Sequence, residues 1–240
     1  MKVSKEQKQK TRKIIVDSAV DLIIENGYQK TSMKKIAREA GIGDATVYKY
    51  FPTKEKILLA YYEIKARESI EEVKSIESFP EFTLQEKLQT LINTYLDKML
   101  PDREFVSQSL KLILYTPLFL FKDIVPVKRE FGHVIQEFLE TARKEKEITS
   151  FPFDGFLTDF LCEYILGVVL YWLADDSEEF SNTTQMVDLT LNLGNAIMTC
   201  GIIDKGMEIV NFFIKSHILR FMSGNENIIS QLKKFKKIYR

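Results

Sequence analysis

The sequence predicts an all-α protein, with a small N-terminal unit of three helices containing a helix-turn-helix joined to a larger helical domain. Three observations carry this. Apolar residues recur at helical spacing along nearly the whole chain, and no segment alternates with period two between hairpin turns. Caps, glycines and prolines punctuate that pattern at intervals suited to globular helices. One stretch, residues 154–174, is apolar on nearly every side and must therefore be covered all round.

The first helix is expected over residues 5–26, with Ile14, Ile15, Ala19, Leu22 and Ile23 on one face. Gly27 takes the left-handed position beyond its end. A second helix covers residues 32–40, capped by Thr31 or Ser32, and Gly41-Ile42-Gly43 makes the turn into a short third helix over 44–51. Pro52 and Thr53 open a long fourth helix that reaches about residue 75. Thr83 and Glu86 have the spacing of a capping box for a fifth, ending near residue 100. Pro101-Asp102 starts a sixth that stops before Pro117, and Pro126 starts a seventh that ends before a break at residues 149–152. Helices over 154–174, about 183–200 and 204–222 complete the pattern, ahead of a basic stub.

The net charge of zero hides a segregation. Residues 1–60 carry a net +6 and the remaining 180 a net −6, with Lys233, Lys234, Lys236, Lys237 and Arg240 adding a separate positive end, read as a solvated tail. A basic N-terminal unit on an acidic body points to a polyanion partner for that unit. Cys162 and Cys200 sit in apolar helical patterns and read as buried free thiols. His133 and His217 have no ligand-like neighbours, so neither a metal site nor a cofactor is expected. No signal-peptide pattern follows Met1, and the longest nearly unbroken apolar run, residues 165–174, is half a membrane span. A cytoplasmic protein without a membrane partner is expected.

Residues 31–51 hold the most chemistry. Met33, Ile36, Ala37 and Ala40 form one stripe, and the small Ala37 lets the following helix cross closely. Gly41 supplies the turn and Ile42 plugs the angle between the helices. In the third helix Val47 and Phe51, four apart, face inward. Ala45, Thr46, Lys49 and Tyr50 face outward, a set suited to base edges in a major groove.

Gly27-Tyr28, Thr31-Ser32-Met33, Ile36-Ala37, Ala40-Gly41-Ile42 and the run from Thr46 through Pro52, Lys54 and Leu58 resemble the TetR family of transcriptional repressors. That resemblance covers roughly residues 14–62. It implies a DNA-binding domain over residues 1–52 and a helical effector-binding and dimerisation domain over 53–240. It further implies phosphate contacts from Thr31 and Ser32 at the amino end of the second helix, and from Tyr48 and Lys54. Lys8, Lys10, Arg12 and Lys13 would form a basic arm adding phosphate or minor-groove contacts. Two departures stand out. Gly43 replaces the family's usual Ser or Thr cap, and Asp44 brings an acid to the reading helix, where it can cap or accept from a cytosine amino group.

The resemblance also implies a homodimer on a palindromic DNA operator, released by a small, largely apolar or aromatic effector. Seventeen Phe, ten Tyr and one Trp are consistent with a pocket. Its candidate lining is Phe105, Leu112, Tyr115, Phe119, Phe131, Phe138, Phe160 and Tyr164. The all-apolar helix is the expected dimer element, with Leu166, Gly167, Leu170 and Leu173 at the interface and the next helix as its companion. A helical enzyme is disfavoured, because no paired histidines, Ser-His-Asp order or phosphate loop occurs. A pure interaction module does not explain why the motif-rich segment is also the basic one.

Overall fold

The computed structural model describes residues 4–115, 125–148 and 154–201, together with Lys205, Gly206, Glu208, Ile209 and Phe212. The expected Phe119, most of the helix at 204–222 and the basic tail lie outside the described residues. Among the described residues the chain is helical and has no strand. The helices are α1 (Lys5–Asn26), α2 (Met33–Glu39), α3 (Asp44–Tyr50), α4 (Lys54–Lys74), α5 (Leu84–Met99), α6 (Arg103–Tyr115), α7 (Val125–Lys144), α8 (Asp154–Ala174) and α9 (Ser181–Thr199).

The caps fall where the sequence puts them. Ser4 and Ser32 accept from backbone N–H groups three residues on, and Thr83 with Glu86 closes a complete capping box at the start of α5. Gly27 and Gly41 have φ of 79° and 63°, a backbone region that only glycine enters without strain, and each turns the chain out of a helix. The α1 face is shifted from expectation. Ile15, Val16, Ala19, Val20 and Ile23 are buried, whereas Ile14 faces solvent, because α1 presents one narrow stripe to α2 and α4.

The spine of the molecule is α4, which packs against α1 on one side and α5 and α7 on the other. Its first residues complete the N-terminal unit, and its later ones belong to the larger domain. Phe105 and Phe138, expected to line a pocket, are instead core residues. Phe105 sits edge-on to Tyr61 and Phe138 edge-on to Phe79, each with its ring enclosed.

Helix α8 is long and apolar enough to cross a membrane by length and composition. The contiguous-run reading understated it because Asp159 and Glu163 interrupt the run without lowering its average much. Both acids pair with Lys128 of α7 (3.0 and 3.3 Å), and α8 packs between α7 and α9. Its thiol Cys162 is buried, and burial pushes it up to about 11. Cys200, expected to be buried, is exposed at the end of α9, where the helix runs out of neighbours.

Candidate nucleic-acid interface

The recognition face is built from below. Val47 is fully enclosed and Phe51 nearly so, which pins α3 onto α2, with the Arg12 guanidinium of α1 over the Phe51 ring. A seven-residue helix is unstable alone, so this burial is what holds it. The opposite face is open: Asp44, Ala45, Thr46, Tyr48 and Lys49 are all exposed, Tyr48 at 48%. Tyr50, expected on that face, is half-buried and packs against the core, because it sits three residues from Val47 and shares its side. Gly43 occupies the cap position of α3 without any side-chain cap. Asp44 is the first helical residue, where its charge complements the helix dipole.

The amino end of α2 is held by a clasp that the sequence did not announce. Thr31 is 1% exposed, and its hydroxyl donates to the carbonyls of Leu22 and Gly27, both at 3.0 Å. It ties the α1–α2 turn to the end of α1 and has no free donor for a phosphate, which corrects the expected contact. Ser32 is exposed, with its oxygen capping the Lys35 N–H at 3.3 Å, and keeps lone-pair and hydroxyl capacity outward.

Lys54 is likewise turned inward. Its ammonium donates to the carbonyls of Tyr28 and Thr31 (2.7 Å to the latter) and lies 3.8 Å from the centre of the Tyr28 ring. Burial draws it below its ordinary range, against the pull of Glu55. The Tyr28 hydroxyl donates to Glu55 at 2.5 Å. Burial and that carboxylate hold the phenol well above its usual value. Burial works against the Glu55 carboxylate, but hydrogen bonds from Tyr28, its own backbone and Thr53 outweigh this and keep it below the usual range. Tyr28 is thus a half-buried strut rather than a core ring.

This geometry makes a distinguishing prediction. Lys54→Met is expected to cost about 1–3 kcal/mol of stability, since two hydrogen bonds to a charged donor go at once. A true phosphate contact would instead lower the salt dependence of DNA affinity by about one counterion. Titrations at several salt concentrations are expected to show an unchanged slope.

The expected basic arm is not an arm. Lys10 pairs with Glu6 one turn away (2.9 Å), Arg12 with Glu63 of α4 (2.7 Å) and Lys13 with Glu68 of α4, all from within α1. Exposed cations on the same unit include Lys8 of the expected arm together with Lys30, Lys34, Lys35, Arg38 and Lys49, of which Lys35 reaches the Lys30 carbonyl at 3.0 Å.

Two apolar hollows lie in the larger domain. One, of about 110 Å³, is lined from α4 to α8, with Leu59, Tyr62, Tyr95, Phe131, Cys162 and Val169 among its walls. Lys128 and Glu163, its charged wall residues, pair with each other. The second, about 550 Å³, is a groove between α5, α8 and α9, and takes in Phe160 and Tyr164. Of the expected lining residues Phe131 alone faces the inner hollow. Leu112 instead lines a cleft against the α1–α2 turn, because α6 directs Leu110 and Ile113 inward and Leu112 outward. Tyr115 ends α6, and its side chain lies outside the described residues. Leu166 borders the inner hollow rather than an outer face, and Leu173 is half-buried. Leu170 and Gly167 are exposed, with nothing in this chain near the Gly167 Cα hydrogens.

Comparison with known proteins agrees with this architecture. The family model for bacterial regulatory proteins of the tetR family matches residues 15–61, and that for the tetracyclin repressor-like C-terminal domain matches residues 87–213. The fatty acid metabolism regulator protein of Bacillus subtilis (strain 168) is 30% identical over 125 residues, covering 52% of this chain and 60% of that protein. The chain thus spans less than two thirds of the length of the curated relatives it matches. The crystal structure of B. subtilis FadR with stearoyl-CoA superposes with a TM-score of 0.54 at 23% identity, covering 75% of this chain and 96% of that one. Thermus thermophilus FadR with lauroyl-CoA gives 0.57 at 21% identity, covering 75% and 92%. With both family models matched in order, the second to residues 87–213 and so to more than half of this chain, the chain belongs to the TetR family of bacterial regulatory proteins.

Proposed function

We propose that this protein is a homodimeric transcriptional repressor that binds a palindromic operator through two copies of α3 and is released by an acyl-chain effector. The observation that carries the DNA half is the exposed face of Asp44, Ala45, Thr46, Tyr48 and Lys49 on a helix nailed down by Val47 and Phe51. Ser32 at the amino end of α2 and Tyr48 remain free for phosphates, while Thr31 and Lys54 support them from behind. Asp44, Ala45, Thr46 and Lys49 are the base-facing set, and Tyr50 positions them.

Effector class is supported by the lining of the inner hollow, which is almost wholly aliphatic and aromatic. Solved relatives of the same fold carry stearoyl-CoA and lauroyl-CoA, and a curated relative is a regulator of fatty acid metabolism. At about 110 Å³ the hollow holds a short apolar group as it stands. A long chain requires α7 and α8 to part, and that movement is how binding would be felt elsewhere.

Selection of duplexes from a randomised pool, followed by titration, tests the reading. Lys49→Ala is expected to weaken the selected operator by about 1–3 kcal/mol while weakening random DNA much less. Equal losses on both, or no enriched sequence at all, would count against base reading by α3. Lauroyl-CoA added to the operator complex is expected to release it, and full retention would remove the acyl-chain effector.

A further inference from the structure

Four charges run in one line across three helices. Arg12 Nη2 on α1 is 2.7 Å from Glu63 Oε2 on α4, and the other oxygen of Glu63 is 2.7 Å from Arg67 Nη2. The same Arg67 nitrogen is 2.7 Å from Glu130 Oε1 on α7. Glu63 is only 13% exposed at its side chain, so it is the least hydrated member and depends most on its two partners. The hydrogen bond to Glu130 raises the Arg67 guanidinium and that to Arg67 lowers the Glu130 carboxyl, as a tight pair does.

Other ion pairs of α4 reach one side only. Lys13–Glu68 joins it to α1, Lys74–Glu137 to α7 and Lys65–Asp102 to the turn before α6. Among the described residues, the Glu63–Arg67 hub carries an unbroken run of ion pairs from α1 through α4 to α7. At the α7 end, Glu130 lies beside Phe131 and one turn from Val127, both of which wall the inner hollow. Outward movement of α7 therefore stretches the Arg67–Glu130 contact. Without that contact Arg67 is no longer held in place, and Glu63, the carboxylate that anchors Arg12 and with it the base of the DNA-binding unit, loses the partner that orients it.

We propose that Arg67 is the positioning residue that couples the effector hollow to the DNA-reading unit, by sharing one guanidinium nitrogen between Glu130 of α7, next to the wall residue Phe131, and the Glu63 anchor of α1. This rests on the regulator reading above, but its mechanical content does not need an effector. Arg67 touches neither the hollow nor the reading face.

The test is hydrogen exchange followed by mass spectrometry on the full-length protein without DNA or effector. Glu130→Gln is expected to speed exchange in α1 around Arg12, about fivefold, although the two residues never touch. Arg67→Met should speed the same α1 amides, and the double variant should add nothing further in α1. Arg67→Lys should restore part of the protection. If Glu130→Gln loosens α7 and leaves α1 at its wild-type rate, or if the two substitutions simply add, the proposal is overturned. A second arm uses lauroyl-CoA and a selected operator. Arg67→Met should keep its affinity for lauroyl-CoA and lose most of the release it causes. Should lauroyl-CoA fail to release even the wild type, the effector reading falls, and the exchange result still decides the role of Arg67.

Discussion

Leu193→Glu is expected to turn the proposed dimer into a folded monomer and to weaken operator binding by about 10²–10⁴-fold, the avidity lost when two linked readers become independent. The reason lies on one face of the molecule. Along α8, Phe156, Phe160, Gly167, Leu170 and Tyr171 recur at helical spacing and are exposed, Phe156 at 65%. Beside them on α9, Leu189, Leu193 and Ile197 do the same, with Leu193 at 61%. A patch of this extent is rarely left to water, and an isologous contact between two copies would cover it. The 550 Å³ groove opens among the same residues, Phe156, Phe160, Leu193 and Ile197 included, so a second copy would seat side chains there. A carboxylate at Leu193 would be buried against the apolar surface of a second copy with no partner for its charge. Sedimentation should report the mass and gel shift the affinity. A Leu193→Glu protein that remains a dimer would remove α9 from the interface.

What was legible in the sequence, and what was not, divides along a physical line. Period and caps are local properties. The α1 limits, the Ser32 cap, the Thr83–Glu86 box and the turn glycines could therefore be read from neighbours within four residues. So could the inward pairing of Val47 and Phe51. Which neighbour takes a given face is not local. The partners of Arg12 and Arg67 lie 51 and 63 residues away, and the basic stretch of α1 reads as a DNA-binding arm until those acids are placed. Thr31 and Lys54 fail for the same reason. A hydroxyl and an ammonium near a helix start suit a phosphate equally well as a carbonyl, and only the fold shows that carbonyls of residues 22, 27, 28 and 31 already occupy them. Aromatic count points to a hollow without showing which rings border it, and so cannot tell Phe105 and Phe138, enclosed in the core, from Tyr62 and Tyr95, which wall it. One signal for the charge relay was present: Glu63 and Arg67 are four apart on one helix face, in the favourable order.

Trp172→Ala is expected to cost about 3–5 kcal/mol, a large share of the roughly 5–15 kcal/mol that holds a domain of ordinary stability. Trp172 is 2% exposed at the carboxyl end of α8, with Phe180 tilted against it at 5.7 Å. Arg103 lies across its face at 5.4 Å from the ring centre. That stacking aims one guanidinium nitrogen at the carbonyls of Trp172, Leu173 and Asp175 (3.1, 3.0 and 3.0 Å), which closes the end of α8. From there the Asp175 carboxylate accepts from the backbone and hydroxyl of both Ser177 and Thr183, which starts α9 and holds that acid well below its usual range. Removing the indole takes the platform from Arg103 and leaves a cavity at a corner that sets α9 against α8. Trp172→Phe keeps part of the platform and should cost less. Urea denaturation should show the midpoint falling for both variants, more for alanine, with the slope unchanged. The contrast with Leu193→Glu separates two roles of the same pair of helices. The surface substitution removes the partner and leaves the fold, whereas loss of the indole removes the corner on which the interface depends, so the dimer fails only as the fold does. A Trp172→Ala protein that kept full stability and lost dimerisation alone would reverse that order of dependence.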